Sequence, residues 1–221
     1  MNKHLIFFLS AFTFMAIVSS CKKSNYLTDE GVHDAKTPLS TYDYLKANSW
    51  HSFDTLIMLV DRFQLKDEMN QAPTVFAVTN ASISNYMTRR LNEKRFFNEN
   101  AKYNLDSLYA DLKADSIRQY FFDEEVTLAN ATEEPQPLVS MVNTKFGYFK
   151  QLQTTNTYTQ YTSGQTYLLY LVKARGELDV PGTPPPINEI DVSVLCQTTG
   201  ILPSSGGVLH VLANQHIFAR F

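Results

Sequence analysis

The first half of the chain alternates apolar and polar residues at helical spacing, and the second half does so at strand spacing. Before either comes an apolar run from Leu5 to Val18, broken only by Ser10 and Thr13 and preceded by Lys3 and His4. A bilayer-spanning helix needs about 20 apolar residues, so this shorter run with its basic start predicts a secretory signal over residues 1–20. Polar residues then predominate to position 36, where the composition predicts a flexible tether over 21–36 and a folded domain over 37–221. Thr37 and Pro38 form a cap followed by a first-turn proline, predicting a helix to about Ala47 through Leu39, Tyr42 and Leu45. Ser52 is placed to cap a second helix carrying Phe53, Leu56, Ile57, Val60 and Phe63.

Leu65 and Met69 continue that apolar surface into Ala72–Asn80, where a strand-forming run through Thr74, Val75 and Phe76 meets a helix start at Thr79–Asn80. The helix that follows carries Ile83, Met87, Leu91 and Phe96 or Phe97, with a charged outer face. Asn104 caps the next helix, with Leu105, Leu108 and Leu112 as its stripe, and a further helix is expected from Asp115 to Phe121. Strands are expected around Leu138, over Phe146–Leu152 and over Thr166–Lys173. Between the last two lies a Thr- and Tyr-rich stretch with Tyr158 and Tyr161. Ala174 to Asn188 holds four prolines and two glycines and reads as a stiff, exposed loop. Ile190, Val192, Val194 and Cys196 alternate with Asp191, Ser193 and Gln197, the period of a half-buried strand that aims Cys196 inward. Val208 to Leu212 and His216 to Phe221 are expected to close the domain as strands.

Two boxes carry a family resemblance. Thr74-Val75-Phe76-Ala77-Val78-Thr79-Asn80 resembles the first motif of the fasciclin domain, with Val78 at the usual proline. Gly207-Val208-Leu209-His210-Val211-Leu212 resembles the second, with Gly206 in place of its asparagine and Ala213 in place of its aspartate. The resemblance implies an α+β fold, a β-sandwich or wedge of two small sheets with helices packed alongside. It also implies that the two boxes lie side by side, with Thr74, Val75, Phe76, Asn80, Gly207 and His210 as structural motif residues. Some family members carry a Tyr-His pair linked to adhesion at the end of the helix before the strands. Here Phe121 follows Tyr120 where the histidine would stand, so the pair is a candidate binding element whose better reading is aromatic core packing.

Val18-Ser19-Ser20-Cys21 resembles a bacterial lipobox, which makes Cys21 the expected lipidated residue. Two or three acyl chains, each contributing about 0.8 kcal/mol per buried CH₂, suffice for stable anchoring. Lys22 is not the aspartate that commonly signals inner-membrane retention, so the expected location is the outer membrane. The chain has 19 Lys+Arg against 22 Asp+Glu, and losing Lys3 with the signal leaves it more acidic still. That balance, with no basic stripe, predicts no nucleic-acid partner. Lipidation of Cys21 would leave Cys196 as the one free thiol, so no internal disulfide is expected.

No zinc spacing, phosphate loop or nucleophile elbow occurs, and no cofactor is expected. The acidic runs Asp123-Glu124-Glu125 and Glu133-Glu134 lie in loops and read as solvated surface. Three functions remain open. The first is a non-enzymatic, lipid-anchored binding or adhesion module. The second is an accessory glycan-binding lipoprotein of an outer-membrane uptake system, with Tyr158 and Tyr161 as stacking candidates. The third is an unrecognised hydrolase, for which the sequence supplies no nucleophile, base and orienter together and which a deep polar pocket around His210 would favour. Mass spectrometry of the native protein is expected to find diacylglycerol on Cys21, and a Cys21→Ser protein that is still processed and membrane-bound would contradict this.

Overall fold

The computed structural model describes residues 35–153 and 166–220. Cys21, Tyr158 and Tyr161 lie outside those residues. The described chain begins by pairing: Leu202 N–H donates to Ala35 O at 2.7 Å and Thr37 N–H to Leu202 O at 2.9 Å. Helix α1 (Thr41–Lys46) starts three residues later than the Thr37–Pro38 cap predicts, because Ser40 is the capping residue and its Oγ accepts the Asp43 N–H. Helices α2 (Asp54–Arg62) and α3 (Lys66–Gln71) lead into strand β1 (Thr74–Ala77), which is buried at every position. Helix α4 (Asn80–Arg95) follows at once, capped by Thr79, whose side chain accepts the Ser82 N–H. Helices α5 (Leu105–Asp111) and α6 (Asp115–Arg118) complete the helical half, and Asn104 caps α5 as its sequence predicts.

The chain turns into strand β2 (Phe121–Phe122) where the sequence predicts continued helix. Five strands remain: β3 (Gln136–Val139), β4 (Lys145–Leu152), β5 (Tyr167–Lys173), β6 (Val192–Ile201) and β7 (Val208–Leu212). No strand forms after Leu212 among the described residues; His216 to Arg220 run as turns, with N–H groups of His216 and Arg220 bonded to Ala213 O and Ile217 O.

Among the described residues the expected pair of small sheets is not formed. All seven strands form one mixed sheet in the order β2-β1-β7-β6-β5-β4-β3. The physical reason is β6. Its first half pairs antiparallel with β5, Tyr170 facing Leu195, and its second half pairs antiparallel with β7, Cys196 facing Leu212. Register shifts between Cys196 and Thr198 and between Thr198 and Ile201 bend the strand, so one ten-residue strand belongs to both halves. At the ends of the sheet, Phe122 bridges Ser140 and Met141 N–H donates to Phe121 O, so the sheet curls almost into a barrel. Among the described residues the helices are few and short, only α4 exceeding nine residues. They share one core with the strands: Leu45, Leu59, Met69 and Ile83 belong with Phe76, Phe122, Phe146 and Leu209.

The two sequence boxes meet as strands. β1 runs parallel to β7, with Thr74 opposite Val208, Phe76 opposite His210 and Ala77 opposite Val211. Gly207 makes the approach possible. Its φ is +74°, and a Cβ there would stand 2.6 Å from Ala72 O and 2.8 Å from Pro73 O, the carbonyl that accepts the Val208 N–H. Gly207→Ala is expected to cost about 2–4 kcal/mol, from the strained φ and the forced separation of β1 and β7. Phe76→Ala, which empties a fully buried site, is expected to cost about 3–5 kcal/mol. Urea unfolding of both proteins measures these losses, and a Gly207→Ala midpoint equal to wild type would refute the close-approach argument.

Candidate functional site

Each motif residue of the two boxes has a partner that accounts for it. Thr74 Oγ1 donates to Glu124 O at 2.7 Å and accepts the Val126 N–H at 2.9 Å. His210 Nε2 lies 2.9 Å from Val126 O, and His210 Nδ1 accepts the Gly200 N–H at 3.2 Å. A carbonyl on one nitrogen and an N–H on the other define the neutral ring protonated at Nε2. One loop residue, Val126, is therefore held by its N–H from β1 and by its C=O from β7. The imidazole is fully buried, stacks on Phe76 with ring centres 4.9 Å apart, and burial lowers its pKa to about 4 against the opposing pull of the Val126 carbonyl. With both nitrogens committed to backbone, His210 serves the fold and has no proton to trade with a substrate.

Asn80 joins two helices. Its Oδ1 accepts the Thr55 N–H at 2.9 Å, its Nδ2 donates to His51 O at 2.6 Å, and its own N–H donates to Ser52 O at 2.8 Å. The start of α2 is thus capped from α4. Phe53, the residue at its N-cap, makes no capping bond, and Ser52 does not take the role its sequence suggests.

Tyr120 and Phe121 are buried, 2% and 1% exposed, so neither presents a surface in this structure. Tyr120 does meet a histidine, but one supplied by the C-terminal segment. Its hydroxyl lies 2.7 Å from His216 Nε2 and accepts the Ala219 N–H, an arrangement satisfied by a hydroxyl donating to unprotonated Nε2. The Tyr120 ring stacks on Phe218, and Asn85 Nδ2 reaches the carbonyls of Asn214 and His216. These bonds hold residues 214–220 against α4 and explain the missing final strand. Burial lowers the His216 pKa to about 4 and raises that of Tyr120. Cys196 is 4% exposed, and burial raises its thiol pKa, the condition of an unreactive core cysteine.

The open chemistry lies elsewhere, on the outer face of β4, β5 and β6. Phe149 and Tyr170 stack across β4 and β5 with ring centres 4.9 Å apart and planes 6° from parallel, and Leu195 continues the row onto β6. A depression of about 440 Å³ opens on one side, where Tyr170, Ser193, Gln215 and Arg220 meet. A second, of about 460 Å³, opens toward Pro181, Pro184 and Pro185 and shares Ser193. Arg220 is held in place by Glu93, 2.6 Å away. Spacing alone does not single out these residues; the signal the sequence carries for them is the alternation of Phe149 with Tyr148 and of Tyr170 with Leu171. Among the described residues, no group of His, Cys, Asp and Glu is placed to hold a metal ion. No family profile matches the sequence, and no curated protein matches it significantly.

His210 and His216 set an acid limit. Between the ordinary histidine pKa of about 6.5 and their folded values near 4, the unfolded chain binds protons that the folded chain refuses, so stability falls as pH drops. By pH 5 the loss is expected to reach about 2 kcal/mol per histidine, before carboxylates begin to titrate in the unfolded chain. Urea midpoints at pH 7 and pH 5 measure it. A folded His216→Phe protein should lose about half as much stability as wild type over that range. Equal midpoints at both pH values in wild type would refute it.

Proposed function

We propose that this protein is a lipid-anchored, non-enzymatic binding module of the cell envelope, built on a fasciclin-like domain and presenting the outer face of β4–β6 to its ligand. The observation that carries the reading is the stacked Phe149–Tyr170 pair standing between two open depressions. An aromatic row with a polar rim is the composition of a recognition surface, because rigid rings bury area at little entropic cost. The in-register parallel pairing of the two boxes supports the family assignment. The commitment of His210 to backbone supports a binding role over a hydrolytic one, since a general base needs a free lone pair near substrate. The lipobox at Cys21 supports attachment to the outer membrane.

A second reading, glycan capture for an uptake system, is favoured by the groups around the larger aromatic. Tyr170 offers a ring, while Ser193, Gln215 and Arg220 offer hydroxyl, amide and guanidinium donors, the set that recognises polyhydroxylated ligands. Tyr170→Ala and Gln215→Ala proteins decide between the two. Loss of an envelope-protein contact in a cross-linked pull-down supports the adhesion reading, and a glycan-array signal lost in both variants supports capture. Partners retained unchanged by both variants would sink the proposed surface.

A further inference from the structure

We infer that the C-terminal tip of α4 is a docking element for an anionic lipid bilayer, separate from the ligand face. Phe96 and Phe97 are 84% and 87% exposed, an unusual state for two adjacent large apolar side chains. The tip is held rigidly. Phe96 N–H bonds to Asn92 O, Phe97 and Asn98 N–H both bond to Lys94 O, and Arg95 Nε reaches Ala101 O across the following turn. The two rings pack edge to face with centres 5.1 Å apart, so they form one preorganised wedge.

Charge selects the occupant. Residues 89–102 contain five Lys and Arg against two Glu, in a chain whose net charge is −3. Lys94, Arg95 and Lys102 are exposed and lie within five residues of the pair along the chain. Glu93, the acid nearest them on the helix, is already engaged by Arg90 and Arg220. Paired exposed phenylalanines flanked in the chain by cations match a membrane interface, where the rings sit at the headgroup–acyl boundary and each cation near an anionic surface adds about 1 kcal/mol. The acidic remainder of the domain is repelled by the same surface, which orients the tip toward it. An N-terminal lipid would fix only a tether; a second contact here would fix which way the domain faces.

The chain has a single tryptophan, Trp50, 85% exposed and next to the His51–Ser52 segment that binds Asn80 at the opposite end of α4. Along a 16-residue helix that end lies about 24 Å from the tip. The test compares full-length wild type, reporting from Trp50, with Trp50→Phe/Phe97→Trp, reporting from the tip. Both are reconstituted with vesicles of brominated phosphatidylcholine containing one-third phosphatidylglycerol. Emission from position 97 is expected to fall roughly twofold, as for a side chain seated about 5–10 Å into the interface, while Trp50 stays bright. The quenching is expected to vanish in about 0.5 M NaCl, where screening is nearly complete within a few Å. Adding Lys94→Ala, Arg95→Ala and Lys102→Ala is expected to remove it too. No quenching at position 97, whether or not the protein floats with the vesicles, overturns the inference. So does equal quenching at both positions, or the same quenching in vesicles of phosphatidylcholine alone. Loss of the lipid anchor itself would appear separately, as failure of the triple-alanine protein to float.

Discussion

A parallel pair such as that between β1 and β7 cannot be closed by a hairpin, and here the two partners are separated by nearly the whole domain. Val75 faces Leu209 and Phe76 faces His210 across that pair. Such long-range pairing incurs the chain's loop-closure entropy before any contact returns it, so the contacts at the joint must be strong and specific. They are. Gly207 lets the backbones close to a distance a side chain would forbid, Phe76 stacks on the buried imidazole of His210, and Phe122 sets its edge against Phe76 at 5.4 Å. Thr74 and His210 then grip the two ends of one peptide residue, Val126, from opposite strands. The loop after β2 is tied to the joint and cannot be placed without it.

The remaining architecture hangs from this joint. On one side β2 pairs with β1 and begins the return toward β3, and on the other β6 carries the sheet from β7 across to β5. The bends in β6 turn what would be two sheets into one curled sheet, and they leave its outer face open where Phe149, Tyr170 and Leu195 line up. The polar groups inside the domain are spent on structure: among the described residues, no buried side-chain nitrogen or oxygen lacks a hydrogen-bond partner. The two surfaces proposed for recognition, the aromatic row on the sheet and the phenylalanine tip of α4, lie outside that buried network.

Much of the joint was legible in the residues themselves. Glycine before a run of branched and aliphatic residues, and a strand followed at once by a Thr-Asn cap, are local signals with local causes, and Thr79 and Asn104 cap as their chemistry predicts. Ser52 and the Thr37–Pro38 pair were misleading, because the cap competition was decided by residues distant in sequence (Asn80) or three places on (Ser40). The single sheet was not legible either. Alternation along Val192–Cys196 announces a strand, but nothing in it says that the strand bends and serves two neighbours. The segment from His216 to Arg220 carries an apolar pattern that suits a strand, and tertiary bonds to Tyr120 and Asn85 override it. Phe96 and Phe97 fit a helical stripe by spacing, yet the stripe runs past the end of the core, so they emerge into solvent.

The two-strand grip joins Val126 to the global core, although Val126 belongs to no strand. Native-state hydrogen exchange read residue by residue tests this directly. The Val126 amide should open with the same free energy as the amides of Phe76 and His210, the value of global unfolding, and Thr74→Val should release it to far faster exchange. A Val126 amide that already exchanges at loop rates in the wild-type protein, while β1 and β7 stay protected, would show that the joint holds without the grip.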